Sequence, residues 1–98
     1  MTYHRNVLSL PPRLIEAEPR EGYEVHLRFA DGLAADVDLS YLLDFGGVFE
    51  PLRDPGFFRK LFIDGPTIAW PNEADIAPET LYDKVQLAVY EARRAPGS

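Results

Sequence analysis

Two neighbouring stretches of the chain show a period of two in their apolar residues. Residues 23–29 carry apolar side chains at every odd position, and residues 33–39 keep the same parity. This period is typical of a β-strand that turns one face to the core and the other to water. The sequence therefore predicts two adjacent strands with a polar outer face, joined through Asp31 and Gly32.

The same parity decides the register of this hairpin. A two-residue loop at positions 31 and 32 would place Leu27 opposite Asp36 and bring a carboxylate to the core face. A three-residue loop, 30–32, places Leu27 opposite Ala35 instead, which predicts a type I turn with Gly32 in the left-handed region. The other predicted pairs are Phe29 with Leu33, Val25 with Val37, His26 with Asp36, and Glu24 with Asp38.

Further along the chain, apolar positions change to a helical period after Pro78. The positions that share one helical face are Leu81, Tyr82, Val85, Ala88, Val89 and Ala92. Shorter patterns predict a strand over 13–18, a short helix over 38–44, helical turns within 48–60 and a second hairpin over 61–70. Together they predict an α+β fold in which a small antiparallel sheet of about five strands, built from two hairpins, packs on a C-terminal helix. A short helical segment lies in the middle.

The chain length of 98 residues suits one domain, which we expect to span residues 1–98. The Pro11-Pro12 pair favours an extended lead-in, so residues 1–12 are predicted as an arm, and residues 95–98 as a frayed tail. Trp70 ends the second hairpin beside a proline corner and is predicted to fill the centre of the core. The alternative interpretation is that Trp70, Asp75 and Tyr82 line a pocket for a small molecule.

Charge is the clearest global feature of the sequence. Ten Lys and Arg against sixteen Asp and Glu give a net charge of −6. Phosphate backbones repel such a chain, so we expect no direct binding to nucleic acid, and a basic protein is the better electrostatic match. No apolar run is long enough for a membrane span and no secretory signal is visible, so the cytoplasm is the expected location.

No residue pattern indicates a catalytic or metal centre. The predicted pair of His26 and Asp36 lacks a neighbouring nucleophile and is better interpreted as a cross-strand ion pair. Asp36, Asp38 and Glu24 do not have calcium-loop spacing, and the absence of cysteine removes thiolate ligands and nucleophiles. We therefore assign no catalytic, cofactor-binding or metal-binding residue, and whether the chain is an enzyme is left open.

Several short segments resemble a bacterial family, the domain of unknown function 2442. The segments are Phe29-x-Asp31-Gly32, Val37-Asp38-Leu39-Ser40, Gly47-Val48-Phe49-x-Pro51-Leu52-x-Asp54, Phe58, Trp70-Pro71-Asn72, Ala74-Asp75-Ile76, Pro78-Glu79 and Leu81-Tyr82. They extend over about residues 13 to 82. The chain departs from the family pattern at Glu73, where glycine is frequent, and at Ala77, where a serine or threonine cap is usual.

The resemblance implies a small α+β domain and brings no established catalytic residues. Family members often occur beside a small basic protein in arrangements like toxin–antitoxin pairs. We therefore favour a non-enzymatic, antitoxin-like interaction module for a basic protein partner. The candidate contact residues are Glu16, Glu24, Asp36 and Asp38 on the sheet, and Leu87 and Tyr90, which fall on the outer face of the helix and suit a partner or a second copy of the chain.

Overall fold

Two small antiparallel sheets and one long helix make up the computed structural model, which describes residues 11–94. The strands are β1 (Leu14–Pro19), β2 (Glu24–Phe29), β3 (Ala34–Asp38), β4 (Phe62–Asp64) and β5 (Thr67–Ala69). The helices are α1 (Pro55–Phe58) and α2 (Pro78–Arg94), and two 3₁₀ helices span Ser40–Asp44 and Gly47–Arg53. The predicted α+β class is confirmed. Nearly all of the predicted arm, and the predicted tail, lie outside the described residues.

The β2–β3 hairpin has the predicted register. Leu27 lies opposite Ala35, Val25 opposite Val37, and His26 opposite Asp36. Gly32 closes the loop at φ 93°, and its N–H donates to the carbonyl of Phe29 at 2.9 Å. The three-residue loop with a left-handed glycine is therefore confirmed, because only this register keeps both apolar sets on one face.

The five strands do not form the single sheet that the sequence predicts. β1, β2 and β3 form one sheet in that order, and β4 and β5 form a second. Between Leu14 and Glu16 the ladder of β1 with β2 is shifted by a bulge, which distorts β1 where β4 approaches it. A hydrogen bond of 3.3 Å from Leu14 N–H to the Gly65 carbonyl joins the two sheets.

The buried side chains form one cluster around Trp70. The indole is 1 % exposed and its N–H donates to the carbonyl of Phe58 at 2.8 Å. Its ring also packs against Phe58, with 5.8 Å between the ring centres. The predicted role of Trp70 as core filler is confirmed, and the hydrogen bond satisfies the one polar atom that a buried indole carries.

Helix α2 covers the sheet with the predicted face, except that Ala92, near the C-terminal end of the helix, is exposed. Leu81 and Val85 are fully buried, while Leu87 and Tyr90 are 56 % and 59 % exposed. Among residues 11–94, no helix has the length and hydrophobicity that a membrane crossing requires. The helix packs chiefly on β3, so its C-terminal half runs beside the edge of the three-stranded sheet.

Candidate functional site

The outer face of the three-stranded sheet collects charged side chains from all three strands. On β2 they are Glu24, His26 and Arg28, on β1 Glu16 and Glu18, and on β3 Asp36 and Asp38. The face thus carries five carboxylates and one guanidinium, a formal charge of −4 with His26 neutral. We call this set the acidic face. It contains all four acidic residues proposed from the sequence, together with Glu18, Arg28 and His26.

One half of the acidic face is tied together by ion pairs. Arg28 Nε lies 3.1 Å from Glu16 Oε1, and His26 Nδ1 lies 2.7 Å from Asp36 Oδ1. His26 Nε2 is a further 3.8 Å from the same Glu16 oxygen. The side chains are partly exposed, so each pair adds at most about 1 kcal/mol to stability. The contact predicted between His26 and Asp36 is confirmed, and both ring nitrogens face carboxylates rather than a nucleophile.

The other half of the acidic face carries like charges next to each other. Glu24 lies directly opposite Asp38, and both are exposed. Asp38 Oδ1 accepts the N–H of Ser40 at 2.9 Å, where the first 3₁₀ helix begins. Carboxylates opposed in this way repel each other across the ladder, and a cationic group from outside relieves that repulsion. This part of the face is the better match for lysine or arginine of a partner.

The acidic face meets the helix ridge, by which we mean the exposed pair Leu87 and Tyr90, at one groove that Leu87 lines. Asp36, Asp38 and Leu87 line the same open cavity of about 190 Å³ between β3 and α2. A second cavity of about 470 Å³, lined by Ala34 and Ala92 among others, continues it along the same edge. We call the two together the β3–α2 groove. The sequence proposed the acidic residues and the ridge separately, because their adjacency depends on how α2 crosses the sheet.

The residues of the alternative pocket have three different environments. Trp70 is enclosed in the core, whereas Asp75 is exposed and lies opposite Ala69 in a short antiparallel bridge. Tyr82 is half-buried, and its hydroxyl donates to the carboxylate of Asp31. None of the three lines the β3–α2 groove. Small-molecule binding at these residues stays a hypothesis.

The pKa values of two groups, the Asp31 carboxyl and the Tyr41 hydroxyl, are shifted by their surroundings. The hydrogen bond from Tyr82, helped by the N–H of Leu33, lowers the pKa of Asp31 below its ordinary value. Burial raises the pKa of the Tyr41 hydroxyl, and the ammonium of Lys84 sits 4.0 Å above the Tyr41 ring. Both groups contact the N-terminal half of α2, Asp31 through Tyr82 and Tyr41 through Lys84, and neither belongs to the acidic face.

The segments that carry the family resemblance hold each other in place. Asn72 donates from Nδ2 to the Val48 carbonyl at 2.9 Å and accepts the N–H of Ala74 at 3.3 Å. The bond from Tyr82 to Asp31 joins two further segments, and that from Trp70 to the Phe58 carbonyl joins Phe58 to the segment of Asn72. These residues therefore have structural roles that account for their presence without a catalytic site.

A family model described as "Protein of unknown function (DUF2442)" matches residues 14–86. The chain belongs to this family. No curated protein and no solved structure gives a match to the chain. The family description attaches no activity to this domain, so the geometry of the acidic face and the groove beside it carries the functional argument.

Two residues of the acidic face, Arg28 and Glu18, were not proposed from the sequence, although strand patterns place them on that face. The period of two that predicts β2 also places Arg28 on its outer face, and the strand over 13–18 brings Glu18 beside His26. Strand parity alone gives the face of each residue, whereas the position of Glu18 beside His26 comes from the pairing of β1 with β2. The β3–α2 groove has no comparable signal, since a groove is produced by the packing of two elements.

Proposed function

We propose that this DUF2442 domain is a non-enzymatic, antitoxin-like interaction module that binds a basic protein partner through its acidic face. The observation that carries the proposal is the excess of five carboxylates over one guanidinium, that of Arg28, on one exposed side of a sheet. The opposed pair Glu24 and Asp38 is the centre of the proposed contact, because no basic side chain of the face is paired with it.

The net charge of −6 supports a protein partner over nucleic acid. A surface of this sign attracts a basic protein over distances near the Debye length, roughly 10 Å at moderate salt, and speeds its association. It repels phosphate over the same distances. Binding through such a face is expected to weaken as salt is added, since screening acts most strongly on exposed charges.

The test compares two charge-reversed variants of equal net charge. Glu24→Lys/Asp36→Lys alters the acidic face, and Asp44→Lys/Asp64→Lys alters exposed carboxylates elsewhere. Each pair of substitutions changes the net charge from −6 to −2. Asp38 is left intact because its carboxylate accepts the N–H of Ser40. Thermal unfolding of both variants checks that the fold is kept.

Proteins captured from lysate by the wild-type domain are identified by mass spectrometry, purified, and titrated with all three forms at low and moderate salt. We expect a basic protein whose affinity falls about tenfold or more for the face variant. The affinity of the wild-type domain should fall as salt is added. The affinity of the control variant should stay within about threefold of the wild-type value. Equal affinity for both variants, or the capture of no basic protein, refutes the proposal and makes a metabolite screen directed at Asp75 and Tyr82 the next test.

A further inference from the structure

Strand β3 has an open edge. It is the last strand of its sheet, and its ladder to β2 is framed by bonds from Phe29 N–H to Leu33 O and from Leu39 N–H to Tyr23 O. In an antiparallel pair, every second residue bonds to the partner strand, and the residues that alternate with these direct their N–H and C=O groups away from it. Those residues are Ala34, Asp36 and Asp38. Within residues 11–94, no backbone bond reaches their outward groups.

The opposite edge of the same sheet is protected. β1 contains a bulge after Leu14 and ends at Pro19, which has no N–H to offer. Leu14 is already bonded to Gly65 of the second hairpin. Bulges, prolines and covering loops are the features that keep sheet edges from pairing with other chains. Within residues 11–94, β3 has no bulge, proline or covering loop, and the charges of Asp36 and Asp38 are what discourage pairing at its edge. The edge that a strand of suitable charge can reach is therefore the one that adjoins α2.

The β3–α2 groove runs along this open edge. Its two cavities share Asp36 and Ala88, so they form one channel. On the helix side the channel is floored by small apolar side chains, Ala88 and Ala92, with Leu87 at one end. A strand placed against β3 would rest alternate side chains on this floor, and alanines leave room for them.

The charges around the groove favour a basic occupant over a second copy of the chain. Three carboxylates border it, those of Asp36, Asp38 and Glu91, against two cations. The cations are Arg93 at the end of the second cavity and Lys84, whose ammonium sits above the Tyr41 ring. Two copies of β3 paired antiparallel about Asp36 would oppose Asp36 with itself, which is destabilising. Lysine or arginine at those positions removes the repulsion.

We propose that the β3–α2 groove binds an extended segment of the basic partner, which adds to the edge of β3 as a fourth, antiparallel strand; this rests on the function proposed above. Backbone groups of Ala34, Asp36 and Asp38 bond to the segment. Its outward side chains are lysine or arginine beside the two aspartates. Its inward side chains are small and apolar and lie on Ala88 and Ala92.

The direct test uses a short synthetic peptide of alternating lysine and valine, blocked at both ends. Amide hydrogen exchange of the full chain is followed residue by residue as the peptide is added. We expect the N–H groups of Ala34, Asp36 and Asp38 to exchange about tenfold or more slowly in the bound state. A peptide of the same composition with its lysines and valines in two blocks should protect none of them. Binding with no protection at these amides overturns strand addition.

Backbone methylation of the peptide separates hydrogen bonding from charge. One version is N-methylated on its lysines and another on its valines, so both keep every charge. In a paired strand only one of these sets faces β3, so one version should bind about tenfold or more weakly and the other as the parent peptide does. Equal affinity of the two versions contradicts the proposal.

Two tryptophan variants test the groove from the protein side. Ala92→Trp fills the channel from an exposed position, whereas Gln86→Trp places the same side chain on an exposed position of α2 outside it. Only Ala92→Trp should lose the alternating peptide. If both tryptophan variants still bind the alternating peptide while Glu24→Lys/Asp36→Lys does not, the acidic face binds without strand addition and the proposal is overturned. If the wild type binds neither the peptide nor a basic protein, the proposed function fails as well. A free chain that dimerises with its Ala34, Asp36 and Asp38 amides protected also overturns the proposal.

Discussion

The hydroxyl of Tyr82 donates a hydrogen bond to the carboxylate of Asp31 and so fastens helix α2 to the β2–β3 loop, 51 residues earlier in the chain. The same tyrosine ring packs edge-on against Phe29, with 4.9 Å between the ring centres. Asp31 also accepts the N–H of Leu33 at 3.0 Å and thereby holds the loop that it belongs to. One side chain pair thus stabilises both the hairpin and the docking of the helix.

This contact predicts a pH-dependent effect of Tyr82→Phe. The hydrogen bond favours ionised Asp31 and lowers its pKa below the ordinary 3.8, so its stabilisation is fully present above that value and is lost as the pH falls through the folded-state pKa. Tyr82→Phe keeps the ring contact and should cost about 0.5–1 kcal/mol at neutral pH, a figure reduced because Asp31 is exposed. Urea unfolding of both forms between neutral and strongly acidic pH measures the difference. A difference in unfolding free energy that stays constant over this pH range would show that the hydrogen bond does not depend on ionised Asp31.

Substitution of Trp70 tests the centre of the core. Trp70→Ala removes a side chain that is 1 % exposed and should lower the free energy of unfolding by about 3–5 kcal/mol. Trp70→Phe keeps an aromatic ring but loses the bond to the Phe58 carbonyl, and a smaller loss of about 1–3 kcal/mol is expected. Chemical denaturation followed by circular dichroism measures both. A loss below about 1 kcal/mol for Trp70→Ala would mean that the indole is not the central filler.

Periodic features of the fold were predictable from the sequence, and contacts between distant side chains were not. The register of Leu27 with Ala35 follows from strand parity, and the burial of Leu81 follows from helical spacing. The division into two sheets depends on how the second hairpin meets β1, where the structure has a bond from Leu14 N–H to the Gly65 carbonyl, and no local residue pattern marks that contact. The bond between Tyr82 and Asp31 depends on how α2 crosses the hairpin.

The candidate site likewise has features that a periodic pattern predicts and features that depend on packing between distant elements. Strand parity placed Glu24, Asp36 and Asp38 on one face, and the helical period placed Leu87 outside. That Leu87 lies beside the two aspartates is a result of packing between α2 and the edge strand. Sequence patterns report which face of an element a residue occupies, and they carry no information on which element lies next to it.

Two leucines of α2 provide a matched test of the helix orientation. Leu81 is fully buried and Leu87 is 56 % exposed, although both belong to the same helix. Leu81→Ala should therefore cost about 2–5 kcal/mol of unfolding free energy. Leu87→Ala should change it by no more than about 0.5 kcal/mol. Leucine and alanine both favour helix, so propensity contributes little to either value. Similar losses for the two variants would show that the helix presents a different face to the sheet.

Among residues 11–94, Glu73 is the non-glycine residue whose backbone is left-handed, at φ 75°. It is also the position at which glycine is frequent in the family pattern. Its N–H donates to the Trp70 carbonyl at 2.9 Å, and the Trp70 N–H donates to the Ala74 carbonyl at 2.9 Å. These two bonds close a three-residue loop in which Glu73 has the left-handed position that Gly32 has in the β2–β3 loop. A side chain with a Cβ pays about 1–2 kcal/mol there, partly offset by the greater freedom of glycine in the unfolded chain. Glu73→Gly should therefore stabilise the protein by about 0.5–1 kcal/mol.

The control for this change is Glu73→Ala, which removes the same carboxylate but keeps the Cβ. Thermal and urea unfolding should show a gain for Glu73→Gly, worth roughly 4–8 °C in Tm for each kcal/mol in a domain of this size. Little or no gain is expected for Glu73→Ala. Because the two variants share one net charge, equal gains would assign the effect to charge repulsion and refute backbone strain at Glu73. A gain for glycine alone would explain the glycine of the family pattern by the geometry of the Trp70 turn.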